Sequence, residues 1–119
     1  MDKESMKGRT KQLALRVMNL VDALPRDEKA GVLGKQLLRC GTSVGANYRA
    51  ACRGRSNAEF VAKLGVVLEE ADETCFWIEL IIEGGLLPEN RCRDLHKEAD
   101  EICAIIFSTI RSARESSAK

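Results

Sequence analysis

Residues 56–85, SNAEFVAKLGVVLEEADETCFWIELIIEGG, decide the fold. Ser56 and Glu59 form a capping box, the pattern in which a hydroxyl and a carboxylate three residues apart satisfy the first free amides of a helix. Phe60, Leu64, Val67, Leu68, Ala71, Cys75, Ile78 and Ile82 then recur every three or four residues, the period of one buried helical face. Gly84 and Gly85 end the run, because the residue past a helix terminus often takes a left-handed backbone that only glycine adopts freely. Such a helix is about 40 Å long at 1.5 Å per residue.

Working outward, the same period appears three more times. Upstream, Leu33, Leu37, Cys40, Val44, Tyr48 and Ala51 predict a helix from about Glu28 to Arg53, with Asp27 as its N-cap. Gly34, Gly41 and Gly45 line one flank of that stripe. Either they let another helix backbone come close, or they mark a kink or loop. Before it, Leu13, Val17, Leu20, Val21 and Leu24 predict a helix over Arg9–Leu24 that Pro25 stops. Downstream, Cys92, Leu95, Ala99, Ile102, Cys103, Ile106 and Ile110 predict a fourth, beginning near Pro88 or Glu89. The tail from Ser112 to Lys119 is polar and is expected to fray. Four helices with short connections and no strand signal read as an all-α, antiparallel, up-down-up-down four-helix bundle. Residues 1–119 then make a single domain with a core over about 9–112.

Composition narrows the function classes. Of 119 residues, 45% are hydrophobic and 31% charged, so the chain is neither disordered nor a membrane protein. No segment is long and apolar enough to span a bilayer, and Met1–Thr10 lacks the apolar region of a secretory signal. Cys40, Cys52, Cys75, Cys92 and Cys103 are odd in number and contain no CxxC pair, which predicts reduced thiols in a cytoplasmic protein. The net charge is only +1, but residues 27–55 carry six Lys/Arg against two Asp/Glu, whereas residues 56–83 carry one lysine against seven acids. Adjacent segments of opposite sign attract, within one chain or between chains.

Two faces exceed what a monomeric bundle needs. On the third helix Ala62, Val66, Phe76, Trp77 and Leu80 point away from the core stripe, and an apolar patch anchored by Trp and Phe marks an interface. Glu73 lies on its flank, so Val66, Glu73, Phe76, Trp77 and Leu80 are the expected subunit contacts. On the second helix Gln36, Arg39, Ser43 and Asn47 form a polar stripe beside the core, where polar groups need partners. Pairing of Arg39 with Glu70 or Glu73 is expected. The same helix carries Lys35, Arg39, Arg49 and Arg53, with Arg55 just beyond, a basic cluster that could contact phosphates.

No catalytic constellation is visible. His96 is the one histidine, without the glutamate three residues before it that a di-iron bundle uses. Nucleotide-loop, zinc and nucleophile-elbow spacings are missing. No enzyme activity, cofactor, metal or small-molecule substrate is therefore expected.

The run Leu37-Leu38-Arg39-Cys40-Gly41-Thr42-Ser43-Val44-Gly45-Ala46-Asn47-Tyr48-Arg49-Ala50-Ala51 resembles the signature of the bacterial four-helix-bundle family named after the 23S ribosomal RNA intervening-sequence proteins. Arg55-Ser56, Glu59-Phe60, Lys63-Leu64, Glu69 to Thr74, Trp77, Glu79 and Leu80 extend the likeness, which covers about residues 10–112. Ala50 departs from it, standing where the family usually has glutamate. The resemblance implies a bundle that assembles as a five-fold ring or barrel, a homopentamer. The family includes the accessory variability determinant of diversity-generating retroelements, a basic protein that binds a reverse transcriptase and nucleic acid. The expected function is thus a non-enzymatic homo-oligomeric scaffold for a protein or ribonucleoprotein partner. The alternative is direct RNA or DNA binding through a basic collar on the second helix.

Overall fold

The computed structural model describes residues 2–118. Four helices follow one another: α1 (Lys3–Asp22), α2 (Glu28–Cys52), α3 (Asn57–Glu83) and α4 (Glu89–Ala118). Each packs against its two neighbours around a square, and α1 meets α4 least. Cross-contacts run in opposite order along neighbouring helices, so the bundle is antiparallel throughout: Thr10 lies against Gly45 and Leu24 against Gly34, Cys40 meets Thr74, and Glu79 meets His96. The body measures 52 × 20 × 20 Å.

Local chemistry sets the ends. Asp27 caps α2 by accepting from the Ala30 amide at 2.8 Å. Ser56 Oγ accepts from the Glu59 amide at 3.1 Å, and Glu59 returns the contact to the Arg55 amide at 3.2 Å, one residue earlier than in the standard box. Gly85, at φ 72°, closes α3 with paired bonds from Gly85 N to Ile82 O and from Leu86 N to Ile81 O. That is a Schellman ending, with Leu86 packed back on the core.

Both outer ends run further than the apolar period predicts. Asp2 accepts from the Ser5 amide at 2.7 Å, so α1 starts at Lys3 rather than Arg9 and adds buried Met6 to the core, where Thr10 is buried as well. The tail expected to fray is helical to Ala118, with Lys119 outside the described residues. Asn57 Nδ2 ties it down, donating to the Ala113 carbonyl at 2.9 Å and to the Ser117 hydroxyl.

The glycines of α2 sit in an unbroken helix, so the kink or loop is not what forms. They face α1. A Cβ on Gly41 would stand 2.7 Å from a Val17 methyl, and one on Gly45 would stand 3.2 Å from the Thr10 carbonyl oxygen. The core is Leu13, Val17, Leu20, Leu37, Val44, Leu64, Val67, Ile78, Ile81, Ile102 and Ile106, nearly all fully buried, with the smaller residues between them. Two threonines join it. Thr10 Oγ1 donates to the Met6 carbonyl and Thr74 Oγ1 to the Glu70 carbonyl, both at 2.8 Å, so neither hydroxyl is buried unpaired.

Candidate functional site

The outer face shared by α2 and α3 holds the polar stripe and most of the spare apolar groups. At its middle, Arg39 reaches across the helix seam. Its Nη1 lies 3.3 Å from Glu70 Oε2, its Nη2 pairs with Glu73, and its Nε donates to Gln36 Oε1 at 3.2 Å. Glu73 and Glu70 push the guanidinium pKa above its ordinary value. The attraction expected between the basic second helix and the acidic third is therefore met inside one chain. Glu73 spends its charge here.

One turn and more along α2, Asn47 Nδ2 donates to Ser43 O at 2.9 Å and to Ser43 Oγ at 2.7 Å. The polar stripe thus divides into two local groups, Gln36 with Arg39 and Ser43 with Asn47. Beneath them, the Cys40 thiol touches Thr74 Oγ1 at 3.4 Å, and burial raises its pKa.

The apolar residues of α3 separate by depth. Phe76 is 50% exposed and Val66 38%, while Trp77 and Leu80 are half-buried. Trp77 packs against its own core and meets Phe76 edge to face, with ring centroids 5.2 Å apart at 72°. Its indole Nε1 is buried with no hydrogen-bond acceptor.

The basic residues proposed from the sequence do not form one patch. Arg39 is engaged by carboxylates, whereas Lys35, Arg49, Arg53 and Arg55 are exposed and make no ion pair among the described residues. Arg49 turns toward α1, where it lines a groove of about 450 Å³ with Lys7 and Lys11. The sequence reading singled out neither lysine, because only the pairing of α1 with α2 brings them beside Arg49. Their spacing of four, one turn on a helix face, was the available signal.

Elsewhere, His96 Nε2 lies 2.8 Å from Glu79 Oε2 across the α3–α4 seam. Arg9 clasps Glu98 with two bonds, at 2.7 and 2.8 Å, joining α1 to α4 and holding the Glu98 carboxyl below its ordinary pKa. Among the described residues no group of three or more His, Cys, Asp or Glu is placed to hold a metal ion, and no helix is long and apolar enough to cross a membrane.

With this geometry in view, comparisons with known proteins are specific. The model of the family described as 23S rRNA-intervening sequence protein matches residues 4–108. The crystal structure of a protein of unknown function from the S23 ribosomal protein family of Bacteroides thetaiotaomicron is similar in fold and sequence. Its TM-score is 0.86 at 35% identity, covering 93% of this chain and 99% of that one. No curated protein matches the chain.

Proposed function

The chain belongs to the 23S rRNA-intervening sequence protein family, and on that premise we propose that it acts without catalysis, as a homo-oligomeric helical-bundle scaffold that receives a protein or ribonucleoprotein partner. One observation carries the reading: Phe76 and Val66 stand exposed on the same side of α3 as half-buried Trp77 and Leu80. A phenylalanine half in water costs hydration free energy that a neighbouring subunit would recover, at roughly 25 cal/mol per Å² of apolar surface covered. The adjoining Arg39, Glu70 and Glu73 network supplies the polar rim that interfaces of this kind carry. A five-fold ring is the assembly we favour. The five free thiols suit a reducing cytoplasm.

Sedimentation velocity tests the reading. The wild-type protein should run as a closed oligomer at micromolar concentration. The double variant Val66→Glu/Phe76→Glu should fall to protomers while its helical circular dichroism is retained, since both side chains are exposed. A monomeric wild type rejects the scaffold. So does a double variant that assembles unchanged.

A further inference from the structure

Two of the five free thiols share one neighbourhood. Cys75 of α3 and Cys103 of α4 are hydrogen-bonded to each other across the α3–α4 seam. The antiparallel register brings them there. His96 meets Glu79 at 2.8 Å. Cys75 lies one turn before Glu79 on the same face of α3, and Cys103 lies two turns past His96 on the same face of α4. Along antiparallel helices those two steps run the same way in space, and they end within about one turn of each other. Small side chains let the backbones approach: Ala71 is buried one turn before Cys75, and Ala99 one turn before Cys103. At the usual ~8–10 Å between packed helix axes, Cα atoms facing each other across a seam fall within the ~7 Å that a disulfide can span.

The pair is asymmetric. Cys75 is 5% exposed and belongs to the core, whereas Cys103 is half-buried at the edge of it, where solvent reaches. Their hydrogen bond holds the Cys103 thiol below its ordinary pKa and lifts that of Cys75; burial and the nearby carboxylates of Asp72 and Asp100 oppose the first effect without reversing it. The other thiols lack one of these properties. Cys92 is fully buried, and so is Cys40, which touches Thr74 Oγ1. Cys52 is half-buried, but its hydrogen-bond partner is the Tyr48 hydroxyl.

We propose that Cys103 and Cys75 form a peroxide-reactive dithiol, a reversible modification site in which Cys103 is the attacking sulfur and Cys75 the resolving one. The co-reactant is a hydroperoxide, of which hydrogen peroxide is the simplest. Cys103 gives up its thiol proton, and its sulfur attacks one peroxide oxygen. A sulfur–oxygen bond forms, the oxygen–oxygen bond breaks, and the departing hydroxide takes the proton to become water. Cys103 is then a sulfenic acid. The Cys75 sulfur attacks the Cys103 sulfur, a disulfide forms, the sulfur–oxygen bond breaks, and hydroxide leaves with the Cys75 proton as a second water. Over both steps the two thiols are oxidised to one disulfide and the peroxide is reduced to water. A resolving thiol already in contact removes the sulfenic acid before a second peroxide carries it to the irreversible sulfinic acid. Such a transient bond is the form that disulfides take in a reducing compartment, and it ties the middle of α3 to α4. The proposal goes beyond the scaffold reading, which depends on the outer face shared by α2 and α3.

The test exposes the reduced full chain to a small excess of hydrogen peroxide, quenches with iodoacetamide and maps unreduced peptides by mass spectrometry. An intrachain Cys75–Cys103 disulfide should form, and dithiothreitol should restore both thiols. In Cys75→Ser, dimedone should trap a sulfenic acid on Cys103, which accumulates for want of its resolving partner. In Cys103→Ser the disulfide should be lost and Cys75 should carry no adduct. Circular dichroism of both variants should match the wild type; Cys75→Ala replaces Cys75→Ser if a buried serine unfolds the chain, and the wild-type map alone decides the pairing. A wild type whose thiols all survive peroxide rejects the site. So does Cys103 driven to sulfinic acid beside a reduced Cys75, or a disulfide that joins Cys103 to Cys52 or to a second chain. A sulfenic acid on Cys75 in Cys103→Ser overturns the assigned roles. Val66→Glu/Phe76→Glu should form the same intrachain disulfide, so failure of the scaffold and failure of the dithiol are read separately.

Discussion

Adding one methyl group at Gly41 should measure how closely α1 and α2 are drawn together. An alanine Cβ there would lie 2.7 and 2.9 Å from the two Val17 methyls and 3.1 Å from its Cβ. Val17 is fully buried and branched at Cβ, so no rotamer clears the way. The helices must part, and forcing an extra carbon into a filled core costs about 1–3 kcal/mol. Helix propensity opposes this, favouring alanine over glycine by about 1 kcal/mol. The net expectation for Gly41→Ala is a loss of about 1 kcal/mol. Gly31, on the same helix, has nothing within 4 Å of an added Cβ, so Gly31→Ala should gain about 1 kcal/mol. For a chain of this length each kcal/mol moves the melting midpoint by ~4 °C. The two variants should therefore melt ~8 °C apart on opposite sides of the wild type. Adding Val17→Ala to Gly41→Ala should cost less than the sum of the two single changes, because the clash and the cavity offset each other. Thermal melts at one protein concentration provide the comparison. A Gly41→Ala protein that rises with Gly31→Ala would refute the close seam.

Glu98→Gln should destabilise the bundle by about 1 kcal/mol at neutral pH, by weakening a charge-assisted pair that is mostly but not wholly buried. The Arg9 guanidinium depresses the folded-state pKa of Glu98 below its ordinary 4.5, so this stabilisation is complete above that value and disappears as pH falls through the folded pKa. Urea midpoints of wild type and variant should converge in acid; a constant gap refutes the pairing. Asn47→Ala should change stability by less than ~1 kcal/mol, because its bonds run to Ser43 one turn back and alanine's helix propensity repays part of their loss. A larger loss on chemical unfolding would place the amide in a contact outside the chain. In a pulse of iodoacetamide read by peptide mass spectrometry, Cys103 should react ahead of buried Cys40, Cys75 and Cys92. The hydrogen bond between the two thiols lowers the Cys103 pKa and raises that of Cys75, while burial raises those of Cys40 and Cys92. Uniform labelling refutes that order.

The period of apolar residues was enough to read the four helices, and the caps of α2 and α3 were legible because Asp27, Ser56 and Gly85 are local signals for local geometry, whereas Asp2 and the first two turns of α1 were not read. The close approach at Gly41 and Gly45 was also legible, since small residues recurring on one flank have few other uses in a helix. Thr10 and Thr74 were not, because a threonine that bonds its own preceding turn looks polar in sequence and behaves as a core residue in space. Trp77 divides between its own core and the surface, a matter of helix tilt that period alone does not resolve. Lys7 and Lys11 were missed for a different reason. Their meaning depends on Arg49, distant in sequence and brought alongside only by the antiparallel pairing of α1 and α2.

The square arrangement of helices has an electrical consequence. Among the described residues α1 and α3 occupy opposite corners and share no backbone contact. Cations outnumber acids five to two on α1, while α3 carries one lysine against seven carboxylates. Since α2 carries four cations against Glu28 alone, a chain almost neutral as a whole is a transverse dipole, with its positive pole along the α1–α2 side and its negative pole along α3. In the field of a large polyanion such a body turns before it touches, presenting the α1–α2 side at distances within a Debye length of about 10 Å at 0.1 M salt. Orientation on approach, rather than overall attraction, is what this charge distribution supplies.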